Sequence, residues 1–134
     1  MASFSDQFLF ETGKFKGDGW AVGHMGKGAL HTAELGVKWA YQPKGDAGFK
    51  WRTCKQATTL SVLVHGRFRM DSRQPGGPDE HTLILEQPGS YVIFGPRFEH
   101  RSEALEDSLF LTIHWPSLQD DCRAVEETAV VDSR

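Results

Sequence analysis

The residues of this 134-residue chain with chemistry to offer are six histidines, two cysteines and a cluster of cations. Residues 44–73 hold Lys44, Lys50, Arg52, Lys55, Arg67, Arg69 and Arg73 against Asp46 and Asp71, a net of +5. Arginine offers a two-pronged donor to carboxylate or phosphate, so this segment suits a small anion. Cys54 lies between Arg52 and Lys55, cations that would favour a thiolate. No general base for a thiol mechanism accompanies it, and an inert buried thiol is the plainer expectation. Strand alternation over Thr58–Gly66 puts Thr59, Ser61, Leu63 and His65 on one face. Imidazole exchanges protons near neutral pH, which makes His65 a candidate acid or base. His24, His31 and His81 are expected at the surface or in loops.

Composition bounds these options. The chain is 39% hydrophobic and 25% charged, which is ordinary globular composition, and its length suits one domain. No stretch approaches the ~20 apolar residues of a membrane-spanning helix, and no signal-peptide core opens the chain. A cytoplasmic protein without membrane contact is expected. Two cysteines, Cys54 and Cys122, are too few to suggest a disulfide framework or a zinc site. The near-neutral balance argues against nucleic acid. The net charge of −3 resides in residues 118–134, where five acids face two arginines.

The elements that must position these residues are strands. Glycine and proline punctuate short runs rich in Val, Ile, Thr, Phe and Trp. Expected strands are Gln7–Phe10, Gly19–His24, Glu34–Tyr41, Thr58–Met70, Thr82–Leu85, Ser90–Phe94 and Ser108–Trp115. Turn signals such as Pro75-Gly76-Gly77-Pro78 and Gln87-Pro88-Gly89 separate them. No amphipathic helix follows any strand, so the fold class is all-β, a sandwich or a barrel. Residues 1–117 are expected to form one domain. Residues 118–134 read as an acidic tail, helical at most around Cys122–Glu127.

The stretch Gln87-Pro88-Gly89-Ser90-Tyr91-Val92-Ile93-Phe94-Gly95-Pro96-Arg97-Phe98-Glu99-His100 resembles the second motif of the cupin family. Thr58–Gly66 resembles the strand and closing glycine of its first motif. The combination with Gly-Trp-x-Val-Gly-His and a terminal Trp-Pro-Ser is similar to a group of short, uncharacterised bacterial cupins. The resemblance implies a double-stranded β-helix, or jelly-roll barrel, commonly dimeric. It implies that His100 points into the barrel, as would the face carrying Thr59, Ser61 and His65. Arg97 replaces a glycine usual in that turn.

In metal-binding cupins the first motif supplies two histidines and a glutamate. The resemblance puts the glutamate slot at Thr59 and the histidine slots at Arg52 and Cys54, or at Thr53 and Lys55. None is a histidine or carboxylate, and the sequence has no His-x-His. The expectation is therefore a barrel with no metal and no cofactor, binding a small, anionic, partly apolar metabolite as a homodimer. Arg52, Cys54, Thr59, Ser61, Trp51 and His114 are its candidate ligand-binding residues. One alternative is a metal-independent isomerase, epimerase or lyase with His100 as acid or base and His65 or Tyr91 as partner. Another is a metalloenzyme that draws together Cys54, His65, His100 and His114.

Overall fold

Ten strands account for the regular structure of the computed structural model, which describes residues 9–77 and 79–125. They are β1 (Asp18–Val22), β2 (Gly36–Gln42), β3 (Ala47–Cys54), β4 (Thr58–His65) and β5 (Phe68–Arg73). Then follow β6 (Glu80–Leu85), β7 (Tyr91–Phe94), β8 (Glu99–Ala104), β9 (Ser108–Trp115) and β10 (Cys122–Ala124). A short 3-10 turn at Gly28–Leu30 lies between β1 and β2. Among the described residues, no helix is long and apolar enough to cross a membrane.

The strands form two antiparallel sheets, ordered β1-β2-β9-β4-β7 and β10-β3-β8-β5-β6, in a jelly-roll arrangement. Period-two patterning decides which residues meet between them. Leu63, Phe94 and Phe110 of the first sheet join Phe68, Met70, Leu85 and Ala104 of the second in one buried cluster. Phe68 and Phe110 meet edge to face with ring centres 3.9 Å apart. Each large apolar side chain buried this way contributes roughly 1.5–3 kcal/mol.

Several elements differ from their expected form. Gln7 and Phe8 lie outside the described residues, while Leu9 and Phe10 are exposed and in no strand. The single run Thr58–Met70 is two strands, because Gly66 turns the chain from one sheet to the other. Its φ of +110° is left-handed, and a Cβ there would lie 2.5 Å from the Asp107 carbonyl oxygen. Strand β8 escapes the pattern because both its faces are polar, and β3 because the cations Lys50 and Arg52 flank its buried Trp51. Cys122–Ala124 is a strand rather than a helix: it hydrogen-bonds along the edge of β3, with Cys122 opposite Cys54.

That register also overturns the expectation that the cysteines do not pair. Cys54 and Cys122, 3.9 Å apart at Cα, form a disulfide spanning 68 residues of sequence. A cross-link over a loop of that length removes chain entropy from the unfolded state, contributing about 4 kcal/mol.

Candidate functional site

The apolar cluster fills only part of the space between the sheets, leaving a cavity of about 410 Å³. Its floor is apolar, from Phe68, Met70 and Phe110, and its walls carry Thr59, Ser61 and Thr112. The Ser61 and Thr112 hydroxyls are hydrogen-bonded to each other at 3.0 Å.

Cations line another part of the wall. On β2, alternation turns Gly36, Lys38, Ala40 and Gln42 to one side, and the last three of these line the cavity. On β3, Lys50, Arg52 and Cys54 line it likewise. Arg52, exposed at the mouth, is paired in register with His100 on β8. Among the described residues, no salt bridge engages Lys38, Lys50 or Arg52.

The remaining cations of residues 44–73 divide differently. Arg67 pairs with Glu86 at 3.4 Å, Arg69 with Asp71 at 3.1 Å and Arg73 with Glu99 at 2.6 Å. Asp71 also accepts from Arg101 and Thr82. Despite the cost of its burial, these donors hold its carboxyl below the usual carboxylate range. Three of the segment's seven cations thus belong to the outer network and two, Lys50 and Arg52, line the cavity, where Lys38 of β2 and Arg101 of β8 join them. Sequence reading missed Lys38, although its alternation with Gly36 and Ala40 was a usable signal.

His100 lies flat against Phe94, ring centres 4.8 Å apart at 8° between planes. Burial, then repulsion from Arg52 and Lys38, lowers its pKa to about 4. It is therefore neutral at physiological pH. Lys38 is shifted down as well, first by burial and then by Arg52, with Asp46 opposing. The turn before β8 holds Arg97 at a left-handed φ of 72°, the position where a glycine is usual. The Arg97 amide donates to the Cys54 carbonyl at 2.7 Å, tying this turn to β3.

A second group lines the same cavity from the other sheet. His114, on β9 between Gly36 and Thr59, is 7% exposed and stacks on Trp20 at 4.2 Å. Gly36 has no side chain to compete with the imidazole, and a Cβ there would run into the ring. Burial, then repulsion from His24, lowers the His114 pKa, with Asp121 opposing. His114 Nε2 is buried with no hydrogen-bond partner among the described residues. His24, expected at the surface or in a loop, lies in the turn after β1 and also lines the cavity, its Nδ1 2.8 Å from Ser117 Oγ.

Other expected site residues stand elsewhere. A bulge between Leu63 and His65 breaks the alternation of β4, leaving His65 exposed at the strand end. Tyr91 is 62% exposed. Trp51 is buried beneath the guanidinium groups of Arg73 and Arg101, 4.0 and 4.4 Å from its ring centre, and does not line the cavity. His100 is thus gathered with Arg52, Lys38 and neutral hydroxyls. That surrounding does not fit the usual cupin metal, which needs further imidazole or carboxylate donors and no cations beside them.

No protein-family model matches the chain, and no curated protein matches it. Solved structures do. KdgF from Halomonas sp. is 22% identical with a TM-score of 0.54, over 67% of this chain and 76% of that one. The capsular polysaccharide assembling protein CapF from Staphylococcus aureus is 16% identical, TM-score 0.59, over 72% of this chain. This chain spans only 28% of CapF's length. The Drosophila melanogaster CENP-C cupin domain is 14% identical, TM-score 0.50, over 63% of this chain and 61% of that one. At such identities the likeness is one of fold.

Proposed function

We propose that this cupin-fold barrel binds a small, anionic, partly apolar molecule in its cavity, without the usual cupin metal. The carrying observation is the set of cavity cations, Lys38, Lys50 and Arg52, in no salt bridge among the described residues, above a floor of Phe68, Met70 and Phe110. Repulsion between Arg52 and Lys38 is relieved when a negative charge enters between them. The aromatic floor gives a flat or apolar body a place to pack. Proton transfer between two groups is less supported, since neither His65 nor Tyr91 lines the cavity with His100.

Calorimetric titration with benzoate, other aromatic and aliphatic carboxylates and phosphate monoesters tests the reading. An aromatic carboxylate is expected to bind while its neutral amide does not. Arg52→Ala should weaken that binding about 10- to 30-fold, as loss of a charge-assisted hydrogen bond worth about 2 kcal/mol implies. Equal affinity of the variant, or equal binding of the amide, would overturn the proposal.

We further propose that two copies pair, supported by Tyr91 and Ile93. Both are more than half exposed on β7, an edge strand of its sheet. Sedimentation equilibrium should give twice the chain mass, and Tyr91→Lys should return it to one. A wild-type mass of one chain would count against pairing.

A further inference from the structure

We propose that, once its disulfide is reduced, this chain binds one zinc ion through the thiolates of Cys54 and Cys122 and a ring nitrogen of His114, with a fourth position open to the cavity. The ligand atoms of these three residues all lie within 4.8 Å of one another. In a tetrahedral zinc site, ligand atoms stand about 3.4–3.8 Å apart, so once the bond between them is broken the two sulfurs separate to that spacing and a modest shift brings the imidazole to the same ion. Thiolate and imidazole are the donors zinc takes, and three protein ligands with one open position are the pattern of its catalytic sites.

The fold supplies this group from three strands. Cys54 and Cys122 face each other across β3 and β10, and His114 reaches over from β9 of the other sheet. An ion there would join the sheets and hold β10 in place of the cross-link. His114 Nε2, buried with no hydrogen-bond partner among the described residues, is the independent sign that this imidazole is not consumed by hydrogen bonds there. All three ligand residues line the cavity, so the open position faces the space where a ligand would sit.

Disulfide and zinc exclude one another. A dithiol reductant passes two electrons and two protons to the Cys54–Cys122 bond, becoming a cyclic disulfide and leaving two thiols. Zinc then displaces both thiol protons. Reducing compartments hold such pairs open.

Cobalt(II) serves as the spectroscopic stand-in for zinc. The chain is reduced with a phosphine, stripped with a chelator, desalted without oxygen and titrated with cobalt in chloride buffer. One equivalent should produce intense visible bands of tetrahedral cobalt and a thiolate-to-cobalt band in the near ultraviolet, both erased by zinc. The oxidised chain should show neither. Cys122→Ser should abolish the thiolate band, and His114→Gln, which keeps both cysteines, should weaken cobalt at least tenfold. Circular dichroism follows folding throughout. A reduced wild type lacking the tetrahedral thiolate spectrum, whether folded or not, would overturn the proposal, as would an unchanged spectrum in both variants. The inference does not rest on the anion reading: this titration contains no organic anion, and the carboxylate titrations are run on the oxidised chain.

Discussion

Asp121→Ala should lower the unfolding free energy of the oxidised chain by about 3 kcal/mol, a large loss for one side chain that belongs to neither the apolar cluster nor the disulfide. Its carboxylate accepts from the backbone amides of Gln56 and Ala57 at 2.9 and 3.1 Å, and the residue is 4% exposed. The Asp121 carbonyl accepts from Lys55 as well. One residue thereby fixes the turn between β3 and β4, which sets the positions of Cys54 and Thr59. Alanine leaves two amides without acceptors at a buried site, each costing about 1–3 kcal/mol. Asn retains one acceptor oxygen and should lose about half as much. Urea denaturation measures both, and a loss below about 1 kcal/mol for alanine would show that water replaces the carboxylate there.

Asp121 also illustrates why part of this molecule was illegible in its sequence. Five acids and no aromatics in residues 118–134 look like a solvated tail. Nothing local reveals that Asp121 will be buried or that Cys122 will meet Cys54, because both facts depend on an open edge of β3 68 residues away. Strands with one apolar face, β2, β4 and β9, were visible from alternation, and β7 as an apolar run between turn signals. Strand β8 was hidden because both its faces are polar, and β3 because its cations obscured the alternation around buried Trp51. Lys50 and Arg52 line the cavity, while Glu99 joins the ion pairs that surround Trp51. At the cavity, alternation placed Thr59 and Ser61 on one face, and both line it. It failed at His65, where a one-residue bulge reversed the parity.

The neutral state of His100 gives the second large effect, and its direction follows from linkage. In the folded chain its pKa is about 4, against 6.5 for an unperturbed histidine. Above pH 6.5 neither folded nor unfolded chain holds a proton there, and the side chain's full contribution is present. As pH falls from 6.5 toward 4, the unfolded state takes up a proton that the folded state refuses. Stability should therefore fall by up to about 3 kcal/mol across that window. Asp71, held below the usual carboxylate range, loses its own contribution only at lower pH, while His114, also lowered by burial, adds a share of its own below pH 6.5, so the part due to His100 is the part its replacement removes. His100→Phe, which can keep the stack on Phe94, should flatten urea unfolding between pH 4 and 6.5. An equally steep profile in the variant would assign the loss to other groups. The same shift couples to the cavity. An anion between Arg52 and Lys38 offsets the repulsion that helps keep His100 neutral, so its pKa should rise toward 6.5 on binding. Binding then takes up a proton between pH 4 and 6.5, and affinity for a carboxylate should increase as pH falls through that range, an increase His100→Phe should remove. Because Arg52 faces His100 directly across β3 and β8, a pH-independent affinity in the wild type would place the bound charge away from that pair.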